Sequence, residues 1–161
     1  MSNQVYSNDE YRYDLANLGR ACYQLETNQS VVDGGTIDIP LSETINEIND
    51  YITYNGSGQF TINLVGVYNV SLTCEWASNA VGSRDQYLFY PNNSGVQLGR
   101  YAHALVAANT QATQDTIVNS SATFLGKVGD TFTIKAGQTS GGALNLLGNP
   151  SETNVIITKI S

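Results

Sequence analysis

Histidine occurs once in these 161 residues, tryptophan once, cysteine twice and proline three times. A single histidine excludes a His-rich metal site, and two distant cysteines supply no zinc-ligand spacing. Cys22 and Cys74 do not form a disulfide framework by count or context, so two reduced, buried thiols are expected. Basic residues are scarce, 7 against 14 acids, for a formal net charge of -7. Phosphate backbones and anionic membranes need a basic face, so neither nucleic acid nor a membrane surface is an expected partner. No run approaches the roughly 20 apolar residues of a membrane span. The first ten residues, Met1 to Glu10, have no basic n-region and no apolar core. No secretory signal is therefore expected.

What is present is neutral polarity. Charged residues are 13% of the chain and apolar ones 41%, the remainder being rich in Asn, Ser, Thr, Gln and Gly. This length suits one domain with a short appendage. Five Asn-x-Ser triplets, at Asn28, Asn55, Asn69, Asn92 and Asn119, reflect that composition. Charge is unevenly spread. Residues 1–50 hold nine acids and two bases, and residues 51–161 hold five of each. The asymmetry predicts two parts, an N-terminal anchor segment over 1–35 and a β-rich head over 36–161.

Within the first part, Tyr11, Leu15, Leu18, Cys22 and Leu25 recur at heptad spacing. The spacing predicts a short amphipathic helix over 9–26, capped by Asn8 or Asp9, with these five residues as an oligomer or anchor seam. Gly19 weakens such a helix by about 1 kcal/mol relative to Ala. A helix of this length is marginal alone in water and must pack on something. Its own domain, its copies and a foreign protein surface are the three choices. Tyr6, Tyr11, Tyr13 and Tyr23 crowd the same stretch, and tyrosine suits protein interfaces.

After a turn at 27–36 the pattern turns to strands. Strands are expected over 36–39 (ended by Pro40), 59–65, 67–76, 84–90, 96–108, 116–125, 131–136, 143–147 and 154–160. Tyr68, Val70, Leu72, Cys74 and Trp76 alternate strictly and give the strongest strand signal in the chain. Residues 43–52 fit helix or strand equally. Turns are expected at Asn55-Gly56, 77–83, 91–95, 126–130 and 137–142. Eight to ten short strands indicate an all-β antiparallel sandwich.

The chemistry-bearing patterns are mostly missing. His103 has no nucleophile elbow before it and lies in a predicted strand, where a core or interface role is expected. No phosphate-binding glycine loop follows Gly126-Lys127. Glu43, Glu47 and Asp50 would share a solvated face were their segment helical. No pair of acids in the β region is spaced for glycoside hydrolysis. No enzyme activity, cofactor or zinc-type metal site is expected, and no Asp-rich loop points to calcium, which scattered carboxylates and carbonyls leave open.

Gln59-Phe60-Thr61-Ile62-Asn63-Leu64-Val65-Gly66-Val67-Tyr68-Asn69-Val70-Ser71-Leu72 joins two alternating strands through a Gly-x-Tyr step. Gly129-Asp130-Thr131-Phe132-Thr133-Ile134 and the closing Val155-Ile156-Ile157-Thr158-Lys159-Ile160 follow in order. From about Gly35 onward this resembles the trimeric jelly roll of the tumour-necrosis-factor and complement-globular-head superfamily. The resemblance covers about three quarters of the chain and rests on short motifs. It implies a homotrimer built on apolar strand faces. In style the acidic, Asn- and Thr-rich chain resembles a bacteriophage head-fibre or capsid decoration protein, which implies a place on the virion surface. The expected partners are then copies of itself and a capsid or other virion protein held through residues 1–30. The alternative expectation is a carbohydrate- or receptor-binding adhesion module, with Tyr87, Phe89, Tyr90 and Tyr101 contacting a host-surface glycan.

Overall fold

The period-two pattern of Tyr68 to Trp76 sends every second side chain to one side, as a half-buried strand requires. In the structure, a computed structural model that describes residues 19–46, 50–91, 97–108, 113–149 and 151–160, those residues face the interior. Thirteen strands follow in chain order: β1 (Arg20–Gln24), β2 (Gln29–Val31), β3 (Thr36–Asp38), β4 (Ser42–Asn46), β5 (Ile52–Tyr54), β6 (Gln59–Ile62), β7 (Gly66–Trp76), β8 (Ser83–Pro91), β9 (Gln97–Ala107), β10 (Thr116–Gly126), β11 (Thr131–Thr139), β12 (Leu144–Leu146) and β13 (Asn154–Lys159).

They form two sheets, and all their pairings are antiparallel. The first runs β2-β12-β7-β13-β1-β4, with β10 also paired to β7. The second runs β5-β6-β11-β8-β9, with β3 also paired to β11. This is the expected all-β sandwich. The inner faces meet in one core that includes Tyr23, Ile39, Phe60, Tyr68, Leu72, Trp76, Leu88, Phe132, Ile134 and Ile157. Phe60 stacks on Phe132 at 4.9 Å and meets Tyr23 edge-on at 4.9 Å. Phe124 extends this cluster from β10 to Tyr90 on β8. Offset and edge-on ring pairs add to area burial, so the cluster ties the two sheets together.

The N-terminal helix is corrected where the structure describes it. Residues 20–24 form β1, and Tyr11, Leu15 and Leu18 lie outside the described residues. Ala21, Tyr23 and Leu25 alternate inward and are fully buried. β1 is hydrogen-bonded to β13 on one side and β4 on the other. Two sheet neighbours and a core supply what a two-turn seam carrying Gly19 lacks. Leu25 is thus a core residue, and its backbone N–H donates to Thr153 O. β1 and β2 both come from the stretch that the charge asymmetry assigned to the appendage. Of residues 43–52, left open between helix and strand, 43–46 belong to β4 and Ile52 opens β5. The turn expected at 137–142 starts later, because β11 continues to Thr139. Gly66 begins β7 rather than interrupting it.

The chain enters and leaves side by side: the Lys159 N–H donates to Gly19 O at 3.2 Å. At the turn before β11, Gly129 has φ +85°, which an L side chain rarely adopts. Asp130 Oδ2 accepts there from the Lys127 N–H and from the Tyr90 hydroxyl. The Gly-Asp pair thus shapes the turn and then caps it.

Tyr68 donates its hydroxyl proton to Leu64 O at 2.6 Å, and burial, with Tyr51 nearby, pushes its pKa from 10.0 up to about 12. The folded state therefore keeps a proton that the unfolded chain loses above pH 10. Stability is expected to hold below pH 10 and to fall as the pH rises toward 12. Denaturant titrations across that range should show a smaller decline for Tyr68→Phe, which at neutral pH costs about 1 kcal/mol for the lost hydrogen bond.

Candidate functional site

The residues singled out by sequence do not converge. On β8, Leu88 and Tyr90 turn inward while Asp85, Tyr87 and Phe89 turn to the outer face of the second sheet. Tyr90 is a buried residue that bonds Asp130 and packs on Phe124. Tyr87 is also nearly covered, and Phe89 lies half-buried with Lys135 Nζ 5.9 Å above its ring. The backbone of Tyr101 pairs with Leu88, and its side chain lies outside the described residues. The three described aromatics thus serve two different faces of β8. Of the anchor seam, Cys22 turns outward on β1, half-buried, whereas Leu25 is core.

His103 is neither core nor a lone ring. It stands on the outer face of the second sheet at 36% side-chain exposure, with Nε2 2.7 Å from Asp85 Oδ1. Its ring sits edge-on to Tyr87 at 6.0 Å. Beside this pair a hollow of about 230 Å³ opens, lined by Gly34, Gly35, Thr36, Ser83, Asp85, Leu105, Gly137, Gln138 and Thr139. Sequence reasoning missed it. The available signal was Gly137, an isolated glycine that follows a clear strand pattern, which marks close approach of something to the backbone.

The outer face of the first sheet has a different character. One cross-strand row reads Ile45–Cys22–Ile156–Ser71–Ser121. Its flanking rows are Arg20–Thr158–Asn69–Thr123 and Gln24–Asn154–Thr73–Asn119. Side-chain bonds knit these rows: Asn69 Nδ2 donates to Thr123 Oγ1 at 2.9 Å and Thr73 Oγ1 donates to Asn119 Oδ1 at 2.9 Å. Ile156 is 40% exposed in the middle of the face, and Ile117 on the adjoining edge strand is 54% exposed. Glu75 lies beside Ile117 in register. Partial burial pushes its carboxyl up, and the carboxylates of Glu152 and Asp115 add to that. Among the described residues no three His, Cys, Asp or Glu side chains form a metal set, and no helix is long and apolar enough to cross a membrane.

No family model matches the sequence, and no curated protein matches it either. Solved structures do match. Eiger TNF from S. frugiperda superposes with a TM-score of 0.70 at 14% identity, covering 90% of this chain and 94% of that one. Murine APRIL at pH 8.0 gives 0.68 at 13% identity, covering 89% and 99%. The same protein at pH 5.0 gives 0.67 at 13% identity, covering 88% and 100%. The fold is the tumour-necrosis-factor-type jelly roll. The two sheets described above are therefore those that the sequence resemblance implied, and the likeness extends to β1 and β2, beyond the quoted motifs.

The two thiols differ in consequence. Burial pushes the Cys74 thiol far up, away from the reactive thiolate. Iodoacetamide at neutral pH is expected to leave Cys74 untouched in the folded chain. Peptide mass mapping should find the Cys74 adduct only after denaturation.

Proposed function

We propose that this chain is the homotrimeric jelly-roll head of a virion structural protein, a head-fibre or capsid decoration subunit tethered through residues 1–18. The observation that carries the reading is a pair of complementary apolar surfaces on one protomer. The outer face of the first sheet presents Ile117 on its edge strand β10, and Ile45 and Ile156 farther across, among hydroxyls and amides. When the β10 edge of one copy packs on the Ile45–Ile156 part of the next, the contact is heterologous, and such contacts generate a closed ring when the rotation closes. The fold of the solved neighbours supports a sandwich architecture suited to such packing.

The tether is shorter than the anchor expected from charge. A cut after residue 30 would remove β1 from between β13 and β4, together with Ala21, Tyr23 and Leu25 from the core. The segment before β1 holds Asp9, Glu10 and Asp14 against Arg12 alone. An acidic segment of this kind suits a basic patch on a capsid surface.

Light scattering is expected to give a trimer of the 17.3 kDa chain, both for the full chain and for one starting at Gly19. Ile117→Asp should yield a monomer with an unchanged circular dichroism spectrum. A monomeric full chain, or a trimer that requires residues 1–18, would refute the edge-to-face packing. Removing residues 1–18 should leave the melting temperature unchanged and abolish co-sedimentation with the particles made alongside the chain. Removing residues 1–30 should prevent folding.

A further inference from the structure

The hollow on the second sheet is built by a single cross-strand row. Thr36 on β3 pairs with Gly137 on β11, Gly137 pairs with Asp85 on β8, and Asp85 pairs with Leu105 on β9. Three of these side chains rise from the outer face, and the fourth position has none. The gap over Gly137 is therefore a floor of bare backbone between a hydroxyl and a carboxylate. A Cβ at Gly137 would stand 3.0 Å from Gly35 O and 3.1 Å from Thr36 Oγ1, so the missing side chain lets the Gly35–Thr36 segment close one side of the hollow. Glycine within a strand is a cost to the sheet, and its typical return is close approach of another group.

The next row supplies a hydroxyl pair. Ser83 Oγ and Thr139 Oγ1 lie 2.9 Å apart, and Thr139 Oγ1 also accepts from the Ser83 N–H at 3.0 Å. Two hydroxyls that share one bond leave a second proton to rotate toward a ligand. Leu105, 60% exposed, forms the apolar rim. Asp85 is held at the side by His103. An ionised carboxylate accepts at about four lone-pair positions, so it can take ligand hydroxyls while it keeps the imidazole.

We propose that this hollow binds one neutral pyranose ring. The walls alternate donors and acceptors, with one apolar rim for a C–H face, which is the complement of a polyhydroxylated ring. The neutral hydroxyls outnumber the single carboxylate, whose Oδ1 is already engaged by His103 Nε2, which disfavours a cationic ligand. At about 230 Å³ the space falls below the roughly 300–1,000 Å³ of pockets for drug-sized ligands, so it takes a single ring. Asp85 accepts from adjacent ring hydroxyls, and Thr36 and the Ser83–Thr139 pair hold the opposite edge. The site belongs to one protomer and stands independently of the trimer. It gives an adhesion role a different address from the aromatic four.

The test titrates the full chain with methyl α-D-mannopyranoside, methyl β-D-galactopyranoside and N-acetyl-D-glucosamine, using saturation-transfer NMR and calorimetry. Ethylammonium chloride is the competing cation. At least one sugar is expected to bind with a millimolar Kd. Asp85→Asn and the surface change Thr36→Val should each weaken it about tenfold, the loss expected for a hydrogen bond to a charged or buried group. Val128→Ser, at an exposed residue outside the hollow, should leave it unchanged. Absence of binding by all three sugars, binding indifferent to Asp85→Asn and Thr36→Val, or displacement by ethylammonium would each overturn the proposal. The oligomeric mass is measured on the same samples. A trimer without sugar binding refutes the pocket alone, and a sugar-binding monomer refutes the trimer alone.

Discussion

The eleven residues of β7 hydrogen-bond to β10 along one side and to β13 along the other, and the remaining strands of the first sheet are placed relative to that strand. Because side chains alternate with a period of two, a slip of one residue would turn Tyr68, Val70, Leu72, Cys74 and Trp76 out to solvent and bury Asn69, Ser71, Thr73 and Glu75. Burying four polar groups while exposing five large apolar ones costs far more than a small domain's whole stability margin. One register survives. It fixes where β13 lies, and β13 in turn fixes β1 and β4.

The poles of the sandwich are held by buried polar side chains that satisfy loop backbone. Arg84 is fully buried, and its guanidinium donates to the carbonyl oxygens of Asn79, Val81 and Ser83 at 3.0–3.2 Å. Burial lowers its pKa, yet arginine stays charged in proteins, so the three carbonyls carry the solvation that water would supply. Gln138 Nε2 donates to Val31 O and Gly142 O, and so ties β2 to the turn after β11. Gln86 Nε2 spans the interior from the second sheet to Leu72 O and Ser120 Oγ of the first. Hydrophobic contact sets the distance between the sheets, and these bonds select one arrangement of the connections.

The sequence showed the central strands because their alternation runs long enough to outweigh any other period. Its turn signals at Asn55-Gly56 and Gly129-Asp130 also have direct physical causes: Asn55 Oδ1 accepts from the Ser57 and Gln59 N–H groups, and Asp130 Oδ2 closes its own turn by accepting from the Lys127 N–H. β1 was hidden because Cys22 and Leu25 also fit a heptad with Leu15 and Leu18, and five residues of alternation around Ala21 and Tyr23 are too few to compete. The hollow was hidden for another reason. It depends on Thr36, Asp85, Leu105 and Gly137, which are far apart in the chain and meet only through strand pairing. The aromatic four looked like one patch because Tyr87, Phe89 and Tyr90 are neighbours in sequence, yet an odd spacing on a strand separates faces. A composition poor in histidine and basic residues bounds the chemistry but has no power to locate a neutral, hydroxyl-lined site.

The pairing of Lys159 with Gly19 has a directional consequence. Both lie level with Tyr68, whereas the loop that carries the chain from Trp76 to Ser83 lies at the far end of β7. At 3.4 Å per residue, the two levels are about 27 Å apart. Residues 19 and 160 therefore both lie at one pole, while the hollow around Gly137 lies on the outer face of the second sheet, nearer the other pole. Were the proposed tether to hold it there, the head would have a stem end and a display end. Under three-fold symmetry, three stems would gather beneath and three hollows would face outward together, so weak single-ring affinity would be multiplied by geometry rather than by any new contact.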